Sequence, residues 1–115
     1  MTIDELIEQL VKFDQNLTTT IKYNHEYAEF GDLDSYRGYY QELAVDRGRS
    51  DKTVGQVIEQ LKEACGKTFI GYKGGEFTMH GGTDVYFAEY GNTGPIVDHV
   101  YEKDGAVYLF CVEDF

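Results

Sequence analysis

Ile96-Val97-Asp98-His99-Val100-Tyr101-Glu102-Lys103-Asp104-Gly105-Ala106-Val107-Tyr108-Leu109-Phe110-Cys111-Val112 reads as a β-hairpin closed by Asp104-Gly105. Asp-Gly is favoured in two-residue type I′ turns because both central residues need positive φ. That turn sets Val100 opposite Leu109 and Tyr101 opposite Tyr108. Strand side chains alternate between faces, so one face carries Val100, Val107, Leu109 and Cys111, and the other His99, Tyr101, Tyr108 and Phe110. Both faces are substantially apolar. Helices are expected over the first, while the aromatic face is either covered by a loop or open to a partner. Pro95, the single proline, marks the entry to the hairpin.

Outward from the hairpin, two helices are legible. Ile3, Leu6, Ile7, Leu10 and Val11 follow helical spacing, and Thr2 with Glu5 forms a capping box. Thr53 with Gln56 opens a second helix that buries Val54, Val57, Ile58, Leu61 and Cys65 and stops at Gly66, a natural residue just past a helix end. Thr2–Leu10 aligns letter by letter with Thr53–Leu61, and strand-like sequence follows each, Leu17–Tyr23 and Thr68–Tyr72. Either a helix–strand unit is duplicated, or two capped amphipathic helices have converged on similar letters. Further strands are expected at Tyr39–Val45 and Asp84–Tyr90. Phe69–Met79 reads as a hairpin across Gly74-Gly75, with Lys73 opposite Glu76 and Tyr72 opposite Phe77. The fold class expected is α+β, with two amphipathic helices packed on one face of an antiparallel β-sheet. At 115 residues, 1–115 is a single domain.

Charge is segregated along the chain. Residues 1–46 and 74–115 hold 18 of the 21 carboxylates with only Lys12, Lys22, Arg37 and Lys103 among them, so each stretch nets −7. Arg47–Lys73 runs the other way, with six bases against three acids. A net charge of −11 repels nucleic acid and membranes and attracts basic protein surfaces. The expected partner is therefore a protein with a basic surface, without direct nucleic-acid binding and without a membrane. Duplex DNA carries roughly 18 charges over about 30 Å. The acidic stretches approach that density, and so DNA mimicry, only if both lie on one side.

The densest mixture of acids and rings runs from Tyr23 to Glu42. It supplies the candidate partner-binding residues Glu26, Tyr27, Glu29, Asp32, Asp34, Tyr36, Tyr39 and Tyr40, with rings as anchors and carboxylates aimed at Lys or Arg. The competing reading is a long solvated loop whose rings fold back onto the core. The glycine-rich stretches around Gly74 and Gly81 lack the strand–glycine–helix order of a phosphate loop, so hairpin turns explain them best. The alternative ligand-binding set is Lys67, Lys73 and His80, meeting the phosphate of a small nucleotide.

Catalytic and metal chemistry find no support in the spacing. His25 and Glu29, like His80 and Asp84, are four apart outside any helical pattern, and no Cys/His cluster has zinc spacing. Cys65, at a helix C-terminus, is poorly placed for a thiolate; Cys111 lies in a strand expected to be buried. Both are read as reduced thiols. No catalytic residue, metal or cofactor is expected, and the acidic start Met1-Thr2-Ile3-Asp4-Glu5, unlike a signal or transit peptide, suits the cytoplasm.

The opening Met1-Thr2-Ile3-Asp4-Glu5-Leu6-Ile7-Glu8-Gln9-Leu10 resembles small bacteriophage-encoded accessory proteins that begin Met-Thr-Ile/Val-x-Glu-Leu-Ile-Glu-x-Leu before a strand. The likeness covers the N-terminal fifth and brings no catalytic residues with it. Where those proteins place a proline in the linker, this chain has Asp14-Gln15-Asn16. The resemblance implies a phage or prophage gene of a kind that disarms host machinery, which makes the cytoplasm that of a bacterial host and the basic-surfaced partner a host protein. Together with the charge it sets the expected function: a non-enzymatic inhibitor of a host defence or nucleic-acid-handling protein, of the anti-CRISPR or anti-restriction type. The alternative is a small-molecule binder that sequesters a nucleotide signal through its glycine loops. A homodimer through the aromatic face is a further expectation, which a covering loop explains equally well.

Overall fold

The computed structural model describes residues 1–34, 42–70, 76–89 and 92–113. Two helices, α1 (Ile3–Leu10) and α2 (Val54–Ala64), accompany nine strands: β1 (Thr18–Tyr23), β2 (Glu26–Ala28), β3 (Phe30–Asp34), β4 (Glu42–Arg47), β5 (Thr68–Ile70), β6 (Glu76–Thr78), β7 (Asp84–Glu89), β8 (Asn92–Lys103) and β9 (Ala106–Val112). Seven strands form one sheet in the order β2-β1-β9-β8-β7-β4-β3, and β5 and β6 form a separate hairpin.

The sheet's two edges, β2 and β3, are consecutive in the chain, with only Glu29 between them. The ribbon Glu26–Asp34 pairs with β1 along its first part and with β4 along its second. A flat sheet cannot place both ends of one short ribbon at opposite edges, so the sheet curls into a half-barrel. Contacts across the mouth hold the curl: Gly48 N–H donates to Glu29 O at 2.9 Å, and Arg47 Nη2 meets Glu26 Oε2 at 2.6 Å. Lys52 spans the same gap. Its backbone carbonyl accepts Thr19 N–H of β1 at 2.8 Å, while its Nζ donates to Gly31 O of β3 at 2.9 Å. With Gln60 Nε2 also donating to that carbonyl, one acceptor of the β3 edge is covered.

This overturns the expected antiparallel sheet with two helices laid on one face. The sheet is mixed, because β1–β9 and β4–β7 are parallel. A helix between two strands returns the chain to the end from which it started, so the next strand runs parallel. Here α2 does that between β4 and β7. Sequence reading saw the hairpins and assumed that the helices only covered them. Their apolar residues instead join one core with the strands: Leu6 and Leu10 of α1 and Val57 and Leu61 of α2 cluster with Ile21, Phe30, Val45, Phe87 and Leu109.

The two halves repeat. Followed in sequence around the half-barrel, β1, the β2–β3 ribbon and β4 precede β7, β8 and β9, each trio headed by a helix; β5–β6 is inserted after α2. The junctions match bond for bond. Ile3 N–H donates to Thr83 O at 2.9 Å, and Val54 N–H to Leu17 O at 2.8 Å. Asp4 N–H to Gly81 O and Gly55 N–H to Gln15 O are both 3.0 Å. Val85 N–H to Met1 O repeats as Thr19 N–H to Lys52 O, at 2.9 and 2.8 Å. Even the entry turns correspond: Asn16 N–H is accepted by Asp14 Oδ1 at 2.9 Å, and Gly82 N–H by His80 Nδ1 at 3.0 Å. Convergence of two amphipathic helices does not produce matching long-range bonds; a repeated unit does.

The repeat exchanges bulk between its halves. Asp4 sits where a Cβ on Gly81 would go, whereas Gly55, the counterpart of Asp4, faces Gln15, the counterpart of Gly81. One side chain and one glycine fill each junction.

Smaller expectations fare unevenly. Leu17–Tyr23 and Asp84–Tyr90 contain β1 and β7, and β4 starts three residues after Tyr39 and extends to Arg47. Asp104 and Gly105 have φ of 52° and 80°, and Val100↔Leu109 and Tyr101↔Tyr108 pair as read. A bulge between Val97 and His99 then shifts the register. In the β5–β6 hairpin the pairing is Phe69↔Phe77 and Ile70↔Glu76, three positions from the Tyr72↔Phe77 register expected of a Gly74-Gly75 turn, and residues 71–75 lie outside those described. An odd slip exchanges the two faces. The Tyr23–Glu42 region is not a long loop over its described part: Asn24, at φ 53°, turns β1 into β2, and Tyr23 and Phe30 are buried.

Gly81→Ala is expected to destabilise by about 1–3 kcal/mol through overpacking. In an Asp4→Ala background most of that loss disappears, read as a coupling above about 0.5 kcal/mol in urea denaturation. The two capping boxes give a pH test. Glu5, which accepts Thr2 N–H at 3.0 Å, has its pKa lowered by that backbone bond and by the Thr2 side chain. Its contribution is present above the ordinary value of 4.5 and lost as pH falls through the depressed one. Wild type should exceed Glu5→Gln in stability at neutral pH, with the difference closing in acid, whereas Gln56 in the second box does not titrate.

Candidate functional site

Strand register assembles an aromatic ladder on the outer face of β2-β1-β9-β8. Alternation along β9 buries Val107, Leu109 and Cys111 and turns Tyr108 and Phe110 outward. Burial also pushes the Cys111 thiol up to about 12, which leaves it a neutral, inert core residue; desolvation first, then Asp4, raises Cys65 as well. The registers Tyr27↔Lys22, Lys22↔Phe110 and Phe110↔His99 line four residues across four strands. One step along, Thr20↔Tyr108↔Tyr101 makes a second row. Neighbouring strands lie about 4.8 Å apart, so rings in these rows touch.

They stack in pairs. His99 and Phe110 centroids are 4.8 Å apart at 22°, and Tyr101 and Tyr108 are 5.2 Å apart at 16°. His99 lies 5.8 Å from Tyr101 and joins the two stacks. Tyr27 meets Tyr108 edge-on at 6.1 Å and is 57% exposed. Lys22 Nζ rests between Tyr27 and Phe110, 5.5 and 6.0 Å from their centroids, a cation–π arrangement that holds its stem against the rings. One exposed carboxylate stands at the ladder, that of Asp98, which meets His99 Nδ1 at 2.8 Å. Glu26, in register with buried Tyr23 and paired with Arg47, and Glu102, in register with buried Val107, alternate to the other side of their strands.

Chemically the face has the ring-rich make-up that docking surfaces use. Rings held on strands lose little freedom when a partner covers them, which is why aromatic residues dominate interface hot spots. Among the described residues no group of three or more His, Cys, Asp or Glu is placed to hold a metal, and no helix is long and apolar enough to cross a membrane.

The residues expected to bind a partner divide. Glu26 and Tyr27 lie on β2, at the end of the ladder. Glu29 is half-buried where the ribbon crosses the mouth, and Asp32 is exposed on β3. Asp34 ends β3, with its side chain outside the description, and Tyr36, Tyr39 and Tyr40 lie outside the described residues. Sequence reading identified His99, Tyr101, Tyr108 and Phe110 as a face but left them out of the site. It missed Lys22 because the parallel β1–β9 pairing was not anticipated. Of the alternative set, Lys67 packs beside Met79 through Met79 N–H to Lys67 O at 3.0 Å, next to exposed His80; Lys73 lies outside the described residues. The His80–Thr83 turn is occupied in receiving α1, as Asp14–Leu17 receives α2.

No protein-family model matches the chain, and no curated protein or solved structure is significantly similar to it.

If the stacked rings attract one another beyond their burial, Tyr101→Ala and Tyr108→Ala are non-additive. The expected coupling is about 0.5–1.5 kcal/mol, read from urea denaturation of both single variants and the double.

Proposed function

We propose that this chain is a small acidic protein of phage origin that binds a host defence or nucleic-acid-handling protein and blocks its basic surface, without catalysing a reaction. The observation that carries this reading is the ladder: Tyr27, Tyr101, Tyr108 and Phe110 form an outward aromatic face on a rigid sheet, beside the exposed carboxylate of Asp98, in a chain of net charge −11. Long-range attraction brings a Lys- and Arg-bearing surface to the molecule. Rings then anchor it, with Asp98 beside His99 to meet a cation at the patch. Carboxylates stand on both helices, on strands and in turns, so recognition rests on this face rather than on a duplex-like line of charge. Glu29, Asp32 and Asp34 add to the steering field.

A second copy is a poor occupant of the ladder, since each chain brings the same eleven-charge excess and like charges oppose association. Light scattering at physiological salt is expected to give a monomer; a dimer lost in a Tyr27→Ala/Tyr101→Ala variant would overturn the reading.

Capture from bacterial lysate, followed by mass spectrometry, tests it directly. A basic protein should be retained at low salt and released at high salt. Its retention should fall about tenfold or more when Tyr27, Tyr101 and Phe110 are replaced by Ala, since hot-spot truncations cost about 2 kcal/mol or more each. Neutralising Glu26, Glu29, Asp32 and Asp34 together should instead slow association and flatten its salt dependence. Retention indifferent to both variants would remove this function.

A further inference from the structure

Lys52 carries a charge that the fold does not neutralise. Its part-buried Nζ donates to two neutral acceptors, Gly31 O at 2.9 Å and Gln60 Oε1 at 2.7 Å, and lies 5.8 Å from the Phe30 ring centre. No carboxylate pairs with it among the described residues. An ammonium has three hydrogens, so one donor remains.

Beside it is a hollow of about 250 Å³, lined by Arg47, Gly48, Arg49, Ser50 and Lys52 on one side and by Gly31 and Asp32 of β3 on the other. Arg47 is engaged with Glu26 at 2.6 Å. Arg49 is exposed and makes no ion pair among the described residues. The two glycines set the floor. A Cβ on Gly31 would overlap the backbone of Asp46–Gly48, and one on Gly48 would come within 2.9 Å of Phe30 O, so the backbones approach with no side chain between them. The positive charge is not that of the nearby helix end: Val54, Gly55 and Gln56 N–H are used by Leu17 O, Gln15 O and Thr53 Oγ1. In a chain of net charge −11, two cations that make no ion pair among the described residues, set against the single carboxylate of Asp32, leave one small hollow positive and suited to an anion.

We propose that this hollow binds a small oxyanion of the phosphate class, separately from the ladder and its partner. Arg49 supplies a planar pair of donors suited to two oxygens, Lys52 a fixed point charge and Ser50 a hydroxyl. Its volume is below the range of about 300–1,000 Å³ usual for whole metabolites, which suits one phosphoryl group. Asp32 adds selectivity. Its carboxylate opposes an anion unless that anion offers it a proton; phosphate at neutral pH retains a P–OH, and sulfate retains none. The hollow therefore discriminates phosphate from sulfate by one hydrogen bond. A neighbouring hollow of about 290 Å³ shares Asp32 and continues past Leu33, Gln60 and Lys67, leaving room for the remainder of a phosphorylated molecule.

Amide NMR titration of the full chain at constant ionic strength tests this, with inorganic phosphate, sulfate and adenosine 5′-monophosphate as probes. Phosphate should shift Gly31 and Gly48–Lys52 saturably, with half-saturation on the order of 1 mM. Sulfate should bind about tenfold more weakly, a difference of about 1.4 kcal/mol. A phosphomonoester has its second pKa at about 6 and offers Asp32 no P–OH at neutral pH, so the nucleotide is compared with phosphate at about pH 5.5, where both carry one. Saturation there at lower concentration, with added shifts at Gln60 and Lys67, identifies a phosphorylated molecule as the ligand, and equal or weaker binding identifies the free ion. Arg49→Ala, an exposed change that leaves the fold intact, should weaken phosphate about tenfold, as loss of a charge-assisted pair does. Asp32→Asn should let sulfate bind as well as phosphate. Shifts that do not saturate, or that are unchanged in Arg49→Ala, overturn the site; equal binding of phosphate and sulfate to the wild type overturns the role of Asp32.

Discussion

A single residue, Glu29, separates the two edge strands of the main sheet, and that short connection governs the architecture. Because β2 and β3 lie at opposite ends of the strand order, the ribbon they form can reach both neighbours only if the sheet rolls up. Rolling creates an inside, into which the apolar faces of α1 and α2 are drawn, and an outside that must be polar or find a partner. The gap between β1 and the β3 edge is bridged by Lys52, which reaches β1 with its backbone and β3 with its side chain.

The same rolling explains the ladder. Strand alternation delivers one row of side chains to the interior for each row outside, and β8 and β9 place rings in the outer row where Glu, Lys or Thr would usually stand. Stacking gives these rings some stability of their own, yet a ring face left to water gains less than one covered by a partner. Lys22, drawn in by the parallel β1–β9 register, shows how readily this surface holds a cation.

What could be read from the letters follows the range of the interactions. Capping boxes, the Asp104-Gly105 turn and the inward set Val107, Leu109 and Cys111 are local patterns, and all three are in place. The repeat was visible as Thr2–Leu10 against Thr53–Leu61, but only the matched bonds at Thr83 and Leu17 separate repetition from convergence. Parallel pairing was illegible, because nothing near Thr18 in sequence announces Ala106 as its neighbour. The ladder was illegible for that reason. Composition pointed to Tyr23–Glu42, whereas a face built from four strands depends on register, and Lys22 and Tyr27 join Tyr108 and Phe110 only through it. Lys52 offered no signal beyond being one base in a basic segment; its role comes from bonds to residues 21 and 8 positions away.

The exchanged helix dockings bear on how the chain reaches this state. Because α1 settles against Gly81–Val85 and α2 against Gln15–Thr19, each half keeps its helix on the other's territory. Neither half can close its own interior alone. During synthesis the first helix and strand must wait for a turn some eighty residues downstream and for the last strand of all, so most of the chain has to emerge before lasting structure forms. Such long-range dependence slows folding, and it also ties the molecule into one cooperative block that has no half to shed.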